Sequence, residues 1–183
     1  MARPLREEVA GGLYHVYARG NNRRPIYLAD GDRSEYLRLL ARTARCRQWN
    51  CLAYCLMENH VHLLLETPLP NLSAGMQQLH GEYARRFNDR YGAVGHLFQS
   101  RFGSKRVLDD PQLLAVLRYI AMNPVEAGLC HRPEEYDWSS YGSVTRGEGP
   151  TFVATDRLRW FLGGLGGDPV EQYHRLVADE VWT

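Results

Sequence analysis

Two histidines separated by one residue, His60 and His62, sit in the run Tyr54-Cys55-Leu56-Met57-Glu58-Asn59-His60-Val61-His62-Leu63-Leu64-Leu65-Glu66. On a strand, alternation sends both imidazoles to one face and Val61 to the other, so the pair can grip one metal ion. The same spacing also fits ordinary polar residues on a half-buried sheet, and a third group has to decide. The run Leu117-Arg118-Tyr119-Ile120-Ala121-Met122-Asn123 supplies a candidate. Tyr119 and Asn123 are four apart, so on a helix they share a face one turn from each other. An amide oxygen is an acceptable ligand for a hard cation. A phenol, with an ordinary pKa near about 10, is a reasonable nucleophile beside a metal-bound phosphate. Taken alone, Tyr-x-x-x-Asn equally fits a packing tyrosine and an asparagine that ends a helix ahead of Pro124.

These groups need a scaffold, and the pattern of residues proposes one. Gly12 to Arg19 is aromatic and β-branched with rough alternation, and Gly20-Asn21-Asn22 ends it with turn chemistry. Asp32-Arg33-Ser34-Glu35 opens a helix reaching Arg45 or Cys46, with Tyr36, Leu39, Leu40 and Thr43 at helical spacing. Strands follow at about 50–57 and 60–66, joined tightly around Glu58-Asn59 as a hairpin, so the histidines begin its second arm. Leu72 to Tyr91 is a long amphipathic helix ended by Gly92, and residues 95–107 turn extended. Asp109-Asp110-Pro111 starts a helix that Asn123-Pro124 stops near Met122. This order describes an α+β fold, a ferredoxin-like antiparallel sheet covered by helices on one face.

From Cys130 the character changes: acidic, broken by Gly147-Glu148-Gly149-Pro150 and Gly163-Gly164-Leu165-Gly166-Gly167, with short helices near 155–162 and 169–180. Trp138, Tyr141, Trp160, Phe161, Tyr173 and Trp182 read as the apolar side of a packing appendage rather than a base-stacking platform. Residues 1–129 are therefore expected to carry the constellation, and 130–183 to form a helical extension packed on it.

Composition narrows the class. A chain of 183 residues, 44% hydrophobic and 23% charged, can bury a real core. No apolar h-region follows the first residues, and the longest apolar runs fall far short of the roughly 20 residues that cross a bilayer. The expectation is a cytoplasmic protein with no membrane partner. Cys46, Cys51, Cys55 and Cys130 form no Cys-x-x-Cys pair, so neither disulfides nor a structural zinc site is expected. The net charge of +1 hides an asymmetry. Residues 1–107 hold 15 Arg and one Lys against 9 acids, net +7, and residues 108–183 hold 6 Arg against 12 acids, net −6. Clusters at Arg19, Arg23 and Arg24, at Arg85, Arg86 and Arg90, and at Arg101, Lys105 and Arg106 suit phosphates. Because 21 of the 22 basic residues are Arg, a compositional bias accounts for them equally well. Charge opposition alone suggests that the acidic tail covers the basic groove or the active site and restrains activity.

At the level of ordered blocks, the chain resembles the REP-associated tyrosine transposases, members of the single-tyrosine HUH, IS200-like transposases. The resemblance runs nearly the whole length. It includes Tyr14-His15-Val16 with Arg19-Gly20-Asn21, the block from Tyr54 to Leu65, Tyr83-Ala84-Arg85-Arg86-Phe87-Asn88, and Gly95-His96-Leu97-Phe98-Gln99-Ser100-Arg101-Phe102. It continues through Arg118-Tyr119-Ile120, Asn123-Pro124-Val125-Glu126-Ala127-Gly128-Leu129 and Trp138-Ser139-Ser140-Tyr141. It implies that His60 and His62 bind Mg²⁺ or Mn²⁺, that Asn123 takes the place where relatives have a Gln or Asn ligand, and that Tyr119 is the nucleophile. Such enzymes cut single-stranded DNA near palindromes that fold into REP-like hairpins, forming a 5′-phosphotyrosine and a free 3′-hydroxyl. The bond energy is kept in the protein link, so the strand can be resealed without ATP. The implied partner is hairpin-forming single-stranded DNA, met by a monomer or a homodimer. Many relatives have proline just before the Asn59 equivalent; Glu58 stands here, expected in solvent at the hairpin tip rather than on the ion.

Arg19, Asn21, Arg23 and Arg24 after the first strand, Arg85 and Arg86 on the second long helix, and Arg101 and Lys105 are the candidate phosphate contacts. His96 and Gln99 either face the nucleic acid or sit idle at a sheet edge. A histidine-triad nucleotide hydrolase would need a third alternating histidine where Leu64 stands, and a barrel metallohydrolase about 250 residues. Initiators of replication or conjugation with the same chemistry are commonly larger. The serious alternative is a regulatory, non-catalytic protein that binds REP-like hairpins; its mark would be a broken triad, and His60, His62 and Tyr119 are all present.

Overall fold

In β1 (Gly12–Arg19) every second side chain is buried: Tyr14, Val16 and Ala18 face the core, while His15 is half-buried and Tyr17 and Arg19 are exposed. This computed structural model describes residues 8–178. Trp182 and the end of the helix expected at 169–180 lie outside the described residues. After β1 come α1 (Asp30–Arg47), β2 (Asn50–Leu56), β3 (His60–Thr67), α2 (Leu72–Tyr91) and β4 (Gly103–Val107). Then follow α3 (Asp110–Glu126), α4 (Ser140–Thr145), α5 (Thr155–Gly163) and α6 (Pro169–Ala178). The strands form one antiparallel sheet in the order β2-β3-β1-β4, the ferredoxin-like α+β arrangement expected from the element order. Among the described residues no helix is long and apolar enough to cross a membrane.

The sheet carries helices on both faces of its β2–β3 half. Tyr36 of α1, Tyr83 of α2 and Tyr27 form a cluster of edge and tilted ring contacts at 5.1–5.8 Å, and the Tyr83 hydroxyl donates to the Ile26 carbonyl at 2.6 Å. Tyr14, Val16 and Ala18 are buried in the same core as these three tyrosines. On the opposite, histidine-bearing face α3 packs against β2 and β3, and Tyr119 meets the His62 ring. The signal was present in the strands themselves. Cys51 to Met57 and Val61 to Leu65 are nearly continuous apolar runs, which is how strands covered on both faces read.

Proline does not stop α3. Pro124 lies inside the helix, which continues to Glu126 before Ala127 closes it, its amide N–H donating to the Asn123 carbonyl at 3.1 Å. Proline removes one amide donor and restricts the preceding residue, but one further turn can still form around it. The consequence is that Asn123 is helical and buried (8% exposed), one turn from Tyr119 on the same helix.

The chain beyond residue 130 is stitched to the free edge of β2. The Leu56 amide donates to the Trp138 carbonyl (2.9 Å), the Tyr54 amide to Ser140 Oγ (3.0 Å), and the Ala154 amide to the Cys51 carbonyl (2.8 Å). Arg157 reaches Glu66 on β3 at 2.7 Å. An edge strand is thereby covered instead of being left open to another chain. Tyr141 and Tyr173 are buried and meet edge to face at 4.9 Å, as an appendage core requires. Trp160 departs from that expectation: it is 65% exposed, with the Arg157 guanidinium over its ring at 4.3 Å.

Asp32 ties α1 to α2. Its carboxylate accepts from the amides of Leu28 and Ala29 (2.9 and 3.1 Å), and from Arg90 (2.6 Å) and Tyr91 (2.7 Å) on α2. Burial alone would raise its pKa, but the Tyr91, backbone and Arg90 bonds outweigh burial and hold it below the ordinary carboxylate range. A depressed folded-state pKa makes the contribution complete above the unfolded carboxyl's pKa and loses it as pH falls through the folded value. Asp32→Asn is expected to cost about 2 kcal/mol near neutral pH, read as a shifted urea midpoint, with the deficit shrinking in acid. An equal deficit at neutral and strongly acidic pH would count against this account.

Candidate active site

The β1–β3 register sets Tyr17 opposite His62 and Arg19 opposite His60, so His15, Tyr17, Arg19, His60 and His62 share one face. The hydrogen bonds of His60 carry a direct chemical message. Its Nδ1 lies 2.7 Å from Asn59 Oδ1, and its Nε2 lies 3.1 Å from Asn123 Oδ1. The Asn59 amide is oriented by its own Nδ2, which donates to the Arg23 carbonyl at 2.9 Å, so an oxygen faces His60 Nδ1. That carbonyl belongs to a turn in which Asn22 and Arg23 hold left-handed backbone, φ 52° and 58°. Burial lowers the His60 pKa against the raising effect of the Asn123 bond, with Arg19 lowering it further, so the ring is neutral at physiological pH with one proton to give. That one proton can serve Asn59 Oδ1 or Asn123 Oδ1 but not both, so one of the two contacts is left without a donor.

With the proton on the Asn59 side, Nε2 and Asn123 Oδ1 would both be open to a cation. The 3.1 Å separation is that of an ordinary hydrogen bond, and it would also suit two neighbouring ligand atoms of one hard cation, about 3 Å apart at ligand distances of roughly 2.0–2.1 Å. His62 is neutral as well, pushed down to about 3 by burial and then by His15, His60 and Arg19. His15 is pushed down to about 4 by burial and by Lys105. Among the described residues no group of three His, Cys, Asp or Glu side chains is arranged to hold a metal. The residues that would hold an ion are therefore two imidazoles and an amide oxygen, a donor set that a hard cation accepts.

Tyr119 stands over this pair. Its ring meets His62 at 5.1 Å and His15 at 5.6 Å, both edge to face, and it is 40% exposed, so the phenol is supported below and open above. It opens on a cavity of about 780 Å³ lined by His60, His62, His15, Tyr17, Arg19, Gln99, Ser100, Arg101 and Lys105. Gly103, opposite Tyr17 in the register, makes room for the floor of this cavity: a Cβ there would run into the Tyr17 ring.

The predicted residues thus divide. Tyr119, His60, His62, Arg19, Arg101 and Lys105 line one cavity, and Asn123 joins them through His60. Asn21, Arg23 and Arg24 are exposed on the turn after β1, outside the lining, and the Arg23 carbonyl serves Asn59. Arg85 and Arg86 are not gathered with the site. Arg85 pairs with Asp89 (3.1 Å), and Arg86 with Glu35 (2.8 Å) and Glu82 (2.7 Å). The i,i+4 spacings Glu82–Arg86 and Arg85–Asp89 signalled this pairing in the sequence. Glu58 is exposed, as expected of a hairpin tip, and His96 and Gln99 are exposed on the loop before β4, where Gln99 reaches the cavity. No lining residue comes from 130–178, so the described part of the acidic extension does not cover the groove. Sequence reasoning missed His15 and Tyr17; alternation with Arg19 in β1 was the available signal.

A sheet of this order with a histidine pair on one strand and a tyrosine on the helix above it defines a class. The family model for IS200-like transposases matches residues 8–123, and the chain belongs to that family. Within it, a Haemophilus influenzae protein assigned as a REP-associated tyrosine transposase is 26% identical over 160 residues, spanning 81% of this chain and 90% of its own. The solved structure of a REP-associated tyrosine transposase bound to a REP hairpin has the same fold. Its TM-score is 0.67 at 21% identity, covering 82% of this chain and 89% of that one.

Proposed function

We propose that this protein binds REP-like DNA hairpins and nicks and rejoins the adjoining single strand through a 5′-phosphotyrosine on Tyr119. The observation that carries the reading is the meeting of Tyr119 with His62 in one cavity, beside a His60 ring whose Nε2 lies 3.1 Å from Asn123 Oδ1. His60, His62 and Asn123 are the residues that would hold Mg²⁺ or Mn²⁺, which when bound polarises the scissile phosphate. Arg19, Arg101 and Lys105 attract and seat the phosphodiester backbone. The Tyr119 oxygen attacks phosphorus, its proton is lost, and the bond to the 3′ oxygen breaks; that oxygen takes up a proton to become a free 3′-hydroxyl. Attack by an incoming 3′-hydroxyl reverses these events and frees Tyr119.

The test is incubation of labelled hairpin DNA bearing single-stranded flanks with Mg²⁺ or Mn²⁺, read on a denaturing gel. A covalent adduct suppressed by EDTA is expected. Tight hairpin binding with no adduct on any flank would replace this reading with that of a regulatory hairpin-binding protein. The cationic assignment is checked separately. Arg101→Ala and Lys105→Ala should each weaken binding to any sequence and flatten its salt dependence by about one unit, whereas Arg86→Ala should leave the salt slope unchanged. A flattened slope for Arg86→Ala alone would move the nucleic-acid track to α2.

A further inference from the structure

We propose that His15 is a positioning residue for the ion site: it accepts the Nδ1 proton of His62 and so keeps the Nε2 lone pair of His62 free for the metal. The inference deepens the metal-assisted reading above and rests on it. His15 Nε2 and His62 Nδ1 lie 3.0 Å apart, so a single proton is shared between them. If His15 donated it, neutral His62 would have to carry its own proton on Nε2. With Nδ1 engaged, no nitrogen would then remain to hold an ion. If His62 donates, Nε2 is bare.

The register supplies the contact. His15 is paired with Leu64 and Tyr17 with His62, so His15 reaches His62 along the diagonal of the β1–β3 ladder. On its other side His15 is paired with Lys105 of β4, so the ring is held between two strands. Asn59 is placed to do the same for His60: its oxygen, oriented by the Nδ2 bond to the Arg23 carbonyl, lies 2.7 Å from Nδ1, and a proton held there would leave Nε2 bare. Both histidines of the pair would then present Nε2, each fixed by a different neighbour through Nδ1. Such outer partners usually set ligand tautomer and orientation, and their loss costs about 10- to 100-fold in metal affinity.

The experiment uses the full chain and needs no catalysis. Mn²⁺ affinity is measured by calorimetry for wild type, His15→Leu, His15→Gln and His60→Ala. The His62 tautomer is read by nitrogen-15 NMR of the metal-free wild type. Expected are a weakening of about 10- to 100-fold for His15→Leu, near wild-type affinity for His15→Gln, whose amide oxygen can accept the same proton, and a proton on His62 Nδ1. Wild-type affinity in a folded His15→Leu overturns the proposal, as does a proton on His62 Nε2 in the wild type, which decides the matter even if His15→Leu does not fold. If His60→Ala binds Mn²⁺ as the wild type does, the ion site itself is wrong and the role of His15 falls with it.

Discussion

Tyr119→Phe will abolish the covalent protein–DNA adduct while leaving hairpin binding and thermal stability close to wild type. The substitution removes one oxygen and keeps the ring, so the edge contacts with His62 and His15 persist. The ring is 40% exposed, and surface changes of this kind stay within about 0.5 kcal/mol of stability. The loss of reaction is of another order. Removing a nucleophile from a site whose other groups act with it as a unit costs roughly four orders of magnitude or more. The measurement is adduct yield on a denaturing gel, with the linked peptide identified by mass spectrometry. Persistence of the adduct in Tyr119→Phe would reject the assignment, and the structure names the phenol to examine next. Tyr17 lines the same cavity, is 38% exposed, and lies 6.4 Å from the His62 ring. An adduct lost in Tyr17→Phe and kept in Tyr119→Phe would transfer the role.

What could be read beforehand was local. The shared face of His60 and His62 follows from strand alternation, and the proximity of Tyr119 to Asn123 from one helical turn; neither depends on how the chain folds back. The neighbours that prepare these groups are not local. His15 becomes a partner of His62 because β1 inserts between β3 and β4, and no run of residues states that order. The basic character of residues 1–107 misled for a different reason. Net charge counts Arg42, Arg86 and Arg90 as available, whereas folding pairs them with Glu82, with Glu35 and Glu82, and with Asp32. The cationic surface around the cavity is correspondingly narrower and comes from Arg19, Arg101 and Lys105. Pro124 reads as a stop because its effect on the backbone is strong, but α3, packed on β2 and β3, continues through it to Glu126 despite the missing amide.

Removal of residues 143–183 will unfold or aggregate the remainder instead of releasing a more active enzyme. Opposite charges on the two parts of the chain suggested a cover over the groove, yet the described extension lies along β2, and no residue of 130–178 lines the cavity. What the deletion takes away is packing. Tyr54 loses the Phe152 ring stacked on it at 5.7 Å, Glu66 loses Arg157, and the Cys51 carbonyl loses the Ala154 amide. Val144, Val153, Leu158, Leu162, Tyr173, Leu176 and Val177 leave with the segment, all buried. Each fully buried apolar side chain is worth about 1.5–3 kcal/mol. Part of that burial is internal to the extension, but α6 also packs on α3, the helix that carries Tyr119 and Asn123. Set against a typical domain stability of about 5–15 kcal/mol, losing even a few such contacts together with an opened strand edge exhausts the margin. The expected readout is loss of a cooperative thermal transition and gain of binding to a hydrophobic dye. Tyr173→Ala is the milder version, expected to destabilise by about 3–5 kcal/mol without touching the cavity. A truncated chain that melts as cooperatively as the full one, and nicks faster, would restore the covering role to the acidic tail.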